Sequence, residues 1–436
     1  TYKITLMKLI KTEVLAGTSS FLATVYIVAV NPAILSQAGM PFGAVVTSTV
    51  LVSFLGSLMM GWFAKNPIIV APGMGMNAFF TFTAVKYMGL TYQEALGAVF
   101  WAGVFFMLIS AFNFREAVLK AIPDNVRKGV SVGIGLFICF VGLQNAHIVV
   151  DNPATLVGLR GLKDPLSITF FVGLFVTAIL VVKKQTGALI AGIALTTLLC
   201  IPIGRWWGDA SAVNFGNQTL VNYTGLFAWP DFSLVFQADF IGSLKFSYIP
   251  IIFAFAFTDM FDGISTLVGL TEAADLKDDN GNPRNLRQSL MTDAFSTLIA
   301  GLTGSSPGTA YIESAVGIQQ GGRTGQTAIV AAFLFLPLMF LSPLVSLVPA
   351  TASSIALVLV GAFMMEPVKD IKWHHLEESL PAFIALSFIP FSYSITQGIV
   401  FGLLSYTLIK ILLGKTKEVS PVLIIINILS IIALCL

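Results

Sequence analysis

The chain has 436 residues, of which 56% are hydrophobic and only 11% charged, and its mean hydropathy is +0.87. A soluble domain carries about 25% charged residues, so half that share leaves an exterior that must face lipid. The net charge of +2 carries no nucleic-acid signal, and at roughly 20 residues per helical span the length allows about a dozen or more crossings.

Lys3, Lys8 and Lys11 precede the first apolar run in the manner of a signal peptide. That run is long, continues through Asn31-Pro32 and lacks a convincing cleavage site, so it reads as a retained first span. Spans are predicted near 13–37, 43–64, 66–88, 92–112, 129–147, 166–182 and 186–204, then, after a polar, Trp-bearing loop over 205–245, near 247–270, 286–304, 305–320, 324–347, 350–366, 379–394 and 396–413. A last apolar stretch, 419–436, is either a further crossing or a surface segment. Threading fourteen spans from a cytoplasmic N-terminus leaves only Lys86, Arg160, Lys163, Arg205 and Lys245 outside, and the rest of the 24 Lys and Arg residues inside, as the positive-inside rule requires of an inner-membrane protein.

Fourteen spans divide into seven and seven, and an odd number per half turns the halves upside down relative to one another. Faint echoes support this. Ala71-Pro72-Gly73 recurs as Ser306-Pro307-Gly308, Ile122-Pro123 as Val348-Pro349, and the stretch from Thr186 to Gly192 resembles that from Gln397 to Gly402. The fold class expected is therefore an all-α polytopic membrane protein with a 7+7 inverted repeat, whose binding site lies at the repeat interface near the bilayer midplane.

Two of the spans cannot be ordinary helix. Over 67–73, Pro67 and Pro72 remove backbone donors while Ile68-Ile69-Val70 favours an extended chain. Gly304-Ser305-Ser306-Pro307-Gly308 breaks the second half in the same way. Helix can resume at Met74 and after Gly308, so two short extended segments are predicted, each followed by a half-helix whose N-terminus aims free N–H groups at one central point. Non-helical backbone at membrane depth persists only where protein or a polar cavity satisfies it. A kink used for packing would explain one such break less awkwardly than a matched pair.

Carboxylates inside apolar spans are costly and point to function. Asp259 and Asp262 lie three apart on one predicted helix, and Glu313 lies in the second broken span. A carboxyl held away from water resists charging, so it can carry a proton as well as accept hydrogen bonds from a ring N–H. Glu313 and Asp259 lead as substrate or proton sites; Asp262 is either a third such group or a helix brace. Asn77 offers donor and acceptor together, suited to a heterocycle's edge or to a plain interhelical bond. Asp293 reads as a structural link. Phe79, Phe80 and Phe261, beside these residues, could stack on a planar ring. Cys139, Cys200 and Cys435 are far apart, the three histidines fall at span ends or in a loop, and no cofactor loop or nucleophile–base pair is present. No cofactor, metal or enzymatic activity is therefore expected.

At Ala71-Pro72-Gly73-Met74-Gly75-Met76-Asn77-Ala78-Phe79-Phe80, Phe257-Thr258-Asp259-Met260-Phe261-Asp262 and Thr309-Ala310-Tyr311-Ile312-Glu313-Ser314, the chain resembles the AzgA-type adenine/guanine/hypoxanthine permeases of the nucleobase transporter superfamily. The resemblance covers nearly the whole chain. It implies a core domain over 1–112 and 246–347 and a gate domain over 113–204 and 348–418, with proton symport of purine bases by an elevator-like motion, often as a homodimer. Asn77, Asp259 and Glu313 would carry purine binding, with Thr309 and Ala310 beside them, and Asp259, Glu313 and Asp262 would serve proton coupling. Pro307-Gly308 departs from the Thr or Val that relatives tend to carry, which bears on the preference among purines. An anion carrier of the same architecture is the alternative, with half-helix dipoles holding sulfate or carboxylate; Glu313 beside those dipoles would compete with the anion.

Overall fold

The computed structural model describes residues 2–111, 123–211, 217–223, 225–273, 276, 284–424, 427, 428 and 431, with the side chains of 2–9, 261, 265, 268, 269, 272, 273 and 396 outside the description. Helix dominates because the long apolar runs carry few breakers. The first half comprises α1 (Tyr2–Thr24) and α2 (Ile27–Leu35), α3 (Phe42–Trp62), strand β1 (Val70–Pro72) leading into α4 (Met74–Ala78), α5 (Tyr92–Ala111), α6 (Asp124–Asn145), a hairpin of β2 (Val149–Asn152) and β3 (Leu156–Leu159), α7 (Pro165–Val182) and α8 (Ala188–Cys200). The second comprises α9 (Ile249–Ala273), α10 (Leu286–Thr303), strand β4 (Gly308–Ala310) leading into α11 (Ala315–Gln319), α12 (Gly325–Phe335), α13 (Ala350–Phe363), α14 (Leu376–Ser392) and α15 (Ile395–Leu412).

Among the described residues, eight helices are long and apolar enough to cross a membrane, which makes this a multi-pass membrane protein. Of the other spans predicted from sequence, two correspond to shorter apolar helices, Ala188–Cys200 and Gln397–Leu412. Two more correspond to α10, which carries Arg287 and Asp293, and α14, which has 17 residues and holds Pro381 and Pro390. The last two are the interrupted segments. The β2–β3 hairpin lies in a stretch that the sequence pattern assigns to no strand; it turns over Pro153-Ala154-Thr155, with Leu156 held at φ 67°.

The helices sort into two groups. In one, α3 packs on α12 and α5 on α10, while α1 lies against α12 and α9 against α5; in the other, α6 packs on α13, α14 and α15, and α7 on α8. Exchanging first-half elements for their second-half counterparts turns these contacts into one another. The α3–α12 pairing becomes α10–α5, α7–α8 becomes α14–α15, and α6–α14 becomes α13–α7. Glycines set the closest crossings. A Cβ on Gly325 would stand 1.9 Å from the Gly61 carbonyl oxygen, and one on Gly103 would stand 2.5 Å from the Leu298 nitrogen. Small residues let transmembrane backbones approach this closely.

The segment after α8 lies along one end of the first group. Trp101 Nε1 donates to the Phe240 carbonyl at 2.8 Å, the Phe236 amide donates to the Leu302 carbonyl at 2.8 Å, and Lys245 pairs with Glu94 at 2.6 Å. On the opposite side, buried Glu13 of α1 accepts from the Arg323 and Thr324 amides at 3.2 Å each and from the Thr327 hydroxyl, satisfying donors that α12 leaves free at its start.

Candidate functional site

The two interrupted segments meet. β1 and β4 pair antiparallel, with Val70 opposite Ala310, Ala71 opposite Thr309 and Pro72 opposite Gly308. Every residue of both strands is buried, so their backbone groups need partners within the protein. Serines from neighbouring elements supply some of these. The Val70 amide donates to Ser57 Oγ at 3.0 Å and the Ile69 amide to Ser314 Oγ at 2.9 Å. Asn31, in the first span, donates to Ser305 and accepts from Ser306, which holds the approach to β4. Gly308 is required here, because a Cβ would stand 2.1 Å from Ser296 Oγ.

The extended segment of the second half runs further than the sequence suggests. Helix resumes at Ile312, not at Thr309, and begins with a 3-10 turn over Ile312–Ser314. Two amides expected to be free are also spent on the strand pair: Gly73 donates to the Pro307 carbonyl and Tyr311 to the Ile69 carbonyl, both at 2.9 Å. The Tyr311 hydroxyl reaches across and donates to the Pro72 carbonyl.

Beside the strand pair lies a cavity of about 340 Å³, within the span of roughly 300–1,000 Å³ usual for small-molecule sites. Gly73, Met74 and Gly75 line it from the first interrupted segment, and Thr309, Ala310, Tyr311 and Glu313 from the second. Asp262 and Thr266 of α9, Tyr26 between α1 and α2, and Ser131 of α6 also reach it. Val360 and Phe363 of α13 and Met364 just after it form an apolar wall, and exposed Glu366 stands at the mouth. Tyr26 donates its hydroxyl to Glu313 Oε1 at 2.6 Å, fixing the direction of that carboxyl.

Of the residues singled out in the sequence, Glu313, Asp262, Thr309 and Ala310 line this cavity together. Asp259 is fully buried outside its lining, where it accepts from the Thr297 hydroxyl of α10. Asp293 lies in the same buried layer and accepts from Thr309 at 3.5 Å, so Thr309 touches both the cavity and the carboxyls behind it. The layer is close enough that a Cβ on Gly263 would stand 1.9 Å from Asp293 Oδ2. One oxygen each of Asp259, Asp293 and Asn77 has no hydrogen-bond partner among the described residues. Asn77 is fully buried on α4, its amide nitrogen 3.9 Å from the Met74 sulfur, and does not line the cavity. Phe79 and Phe80 pack on Phe255 of α9, with ring centroids 4.6 and 6.4 Å away, also outside the lining. The Phe261 side chain lies outside the described residues.

Sequence reasoning did not single out Tyr26, Tyr311 or Ser131. Tyr311 stood inside a quoted motif, and Tyr26 is a tyrosine in an otherwise apolar run; nothing local marks Ser131. Cys139 and Cys200 are free thiols, and among the described residues no cluster of three His, Cys, Asp or Glu side chains is arranged to hold a metal ion.

The Permease family model matches residues 11–434. Adenine permease AdeP of Escherichia coli K12 is 41% identical over 97% of this chain and 92% of its own length, and guanine/hypoxanthine permease PbuO of Bacillus subtilis 168 is 38% identical over 98% and 97%. The chain belongs to the nucleobase permease family. Permeases are transporters rather than enzymes. Among solved structures, the transmembrane domain of the cyanobacterial bicarbonate transporter BicA superposes with a TM-score of 0.64 over 90% of this permease and 97% of that chain, at 15% identity. SLC26A9 superposes with a TM-score of 0.65 over 93% and 66%, at 11% identity. At such identities the likeness is one of fold.

Proposed function

We propose that this permease carries purine nucleobases in symport with protons, by an elevator-like movement of a core (1–112 and 246–347) against a gate (113–204 and 348–418). The reading rests above all on one observation: Glu313 and Asp262 line the same cavity beside the paired strands. A purine edge carries ring N–H donors and ring-nitrogen acceptors; a carboxylate accepts the former, while the Thr309 hydroxyl can serve either. The names of the relatives support the substrate class. A carboxyl buried in a membrane protein suits a group that is charged or protonated in turn as a ligand arrives and leaves. Asp259, set behind the lining, accepts from Thr297, whose hydroxyl also lies 3.1 Å from the Gly308 carbonyl of β4, and Asn77 is buried on the half-helix after β1; their unpaired oxygens leave both able to take part as the site rearranges.

The interchange of contacts between halves supports the 7+7 inverted arrangement, and the separation of the helices into two groups supports core and gate. The charge partition along the sequence supports an inner-membrane protein with a cytoplasmic N-terminus. A homodimer belongs to the same proposal and is checked by the mass of the detergent-solubilised protein. Uptake of labelled adenine, guanine and hypoxanthine into cells lacking their own carriers, with and without a protonophore, tests the whole. Base uptake that ignores the proton gradient would remove the coupling.

The names of the structural neighbours favour a second reading, an anion carrier. The cavity speaks against it. Its described lining includes Asp262, Glu313 and Glu366 and neither Lys nor Arg, so an anion would meet like charge. Improved sulfate or bicarbonate uptake by Glu313→Gln, with purine binding intact, would support this reading over the first.

A further inference from the structure

Away from the cavity beside the strands, a cleft of about 470 Å³ opens between the end of α3 and the start of α12. It lies far from the segment after α8, which reaches the other end of α3, where the Asp231 amide donates to Thr47 at 3.0 Å. Gly61 and Gly325, which meet backbone to backbone, line the cleft together with Trp62, Lys65, Arg284 and Gln326. The described lining holds two cations and no carboxylate. Buried Glu13 does not line it, and its oxygens are taken by the Arg323 and Thr324 amides and the Thr327 hydroxyl.

Arg284 is built into this cleft. Its Nη2 donates to the carbonyls of Lys65 at 3.0 Å and Arg323 at 2.9 Å and to Asn66 Oδ1 at 3.2 Å. Asn66 returns a bond to the Arg284 carbonyl at 3.1 Å. One edge of the guanidinium is thereby fixed, which leaves Nη1 for a ligand. Among the described residues neither Arg284 nor Lys65 pairs with a carboxylate. Lys65 is exposed and held at φ 55°, a conformation that Gly or Asn adopts at less cost, so the position carries a cation where the backbone alone favours a smaller residue.

These groups make an anion site, and its surroundings select the anion. Trp62 is 73% exposed beside the cations. Ile329, also in the lining, belongs to the span Gly325–Val345, the least enclosed of the eight, with 28% of its most apolar stretch buried. A soluble phosphate would leave this apolar surface uncovered, whereas a phospholipid covers it with its acyl chains as its headgroup meets the cations. Tryptophan favours the headgroup level of a bilayer, and basic pockets between spans suit anionic headgroups. We propose that this cleft binds an anionic phospholipid of the phosphatidylglycerol type. The phosphate lies between Lys65 Nζ and Arg284 Nη1, the Gln326 amide meets the glycerol hydroxyls, and the chains run along Trp62 and Ile329.

The test uses purified full-length protein in detergent, titrated with phosphatidylglycerol, with phosphatidylcholine as the neutral rival and sn-glycerol 3-phosphate as the soluble headgroup. Native mass spectrometry counts the molecules retained. Wild type is expected to keep one phosphatidylglycerol in preference to phosphatidylcholine and to ignore equimolar sn-glycerol 3-phosphate. Lys65→Gln should lower the preference about fivefold, the effect of one cation on an anionic lipid, and Lys65→Arg should restore it. Gln326→Glu is a second arm. An acid in the first turn of a helix favours folding, but here it would face the phosphate, so the preference should fall by about as much with thermal stability unchanged. An undiminished preference in both Lys65→Gln and Gln326→Glu refutes the site. Displacement of the lipid by equimolar sn-glycerol 3-phosphate also overturns the proposal, since the cleft would then take a soluble anion. None of these readings involves base uptake, so their failure leaves the transport proposal standing.

Discussion

The seam between the two helix groups differs at its two ends. Near Lys86 it is bridged: Gln37 donates to Asn145 at 3.3 Å, Thr83 to the Tyr393 carbonyl at 3.2 Å, and Gln397 to the Tyr87 hydroxyl at 3.5 Å. Tyr393 also sets its ring edge-on to Phe82 and Phe137. Near Glu366 the same seam opens into the cavity of about 340 Å³. The bridges join neutral groups, each worth roughly 1 kcal/mol net, whereas the paired strands and the Gly61–Gly325 and Gly103–Leu298 crossings lie inside one group. A rigid group that is lightly tied to its neighbour at one end can shift against it without losing its own structure.

The largest effect is expected inside the rigid group. In Gly325→Val the new Cβ would stand 1.9 Å from the Gly61 carbonyl oxygen, where backbone meets backbone and neither can yield. Overpacking of this kind costs about 1–3 kcal/mol or more, so the yield of monodisperse protein on size exclusion should fall several-fold. Normal yield and uptake would show that the α3–α12 crossing tolerates separation.

Next comes the open end. Glu313→Gln keeps the shape of the side chain and removes its charge, and hydrogen bonds to a charged group are worth about 1.5–3 kcal/mol. Base uptake should fall by about ten- to a hundred-and-fiftyfold at normal expression, measured with labelled adenine and hypoxanthine. Retention of more than about a tenth of wild-type uptake would take Glu313 out of the site. Tyr26→Phe removes the donor 2.6 Å from Glu313 Oε1 but leaves the carboxyl itself; a loss of about tenfold is expected, mostly in base affinity. If affinity is unchanged, Glu313 is positioned by something other than Tyr26.

These residues also show what could be read from the chain and what could not. The interrupted segments were legible because proline and β-branched residues act locally, and Glu313 because a carboxyl in an apolar run stands out whatever surrounds it. Its partner Tyr26 lies 287 residues away in sequence, and only the packing of the first span against the second interrupted segment brings them together. Asp259 and Asp262 were legible as a pair but not in their separate roles. Three residues apart on a helix, they point about 60° from each other, and the packing of α10 and α6 around α9 decides which faces Thr297 and which faces the cavity. The later start of helix after β4 was hidden because Thr309 and Ala310 serve strand or helix equally well until β1 is alongside.

The smallest effect is expected at the bridged end. Asn145→Ala removes the acceptor of the Gln37 bond and leaves the Thr83 and Gln397 bridges in place. Loss of about 1 kcal/mol from the closed arrangement changes its population by roughly fivefold, which is too little to abolish transport and enough to alter access. A single cysteine introduced as Phe82→Cys, in a chain freed of its native cysteines, reports that access, because Phe82 lies beneath the bridges and is only 6% exposed. Labelling by a membrane-impermeant thiol reagent should quicken about two- to fivefold in Asn145→Ala and slow again when saturating base holds the site. Opposite behaviour, with labelling unchanged while uptake drops sharply, would mean that Asn145 supports the fold of α6 rather than the closure of the seam. The two ends would then differ in rigidity and not in how readily they part.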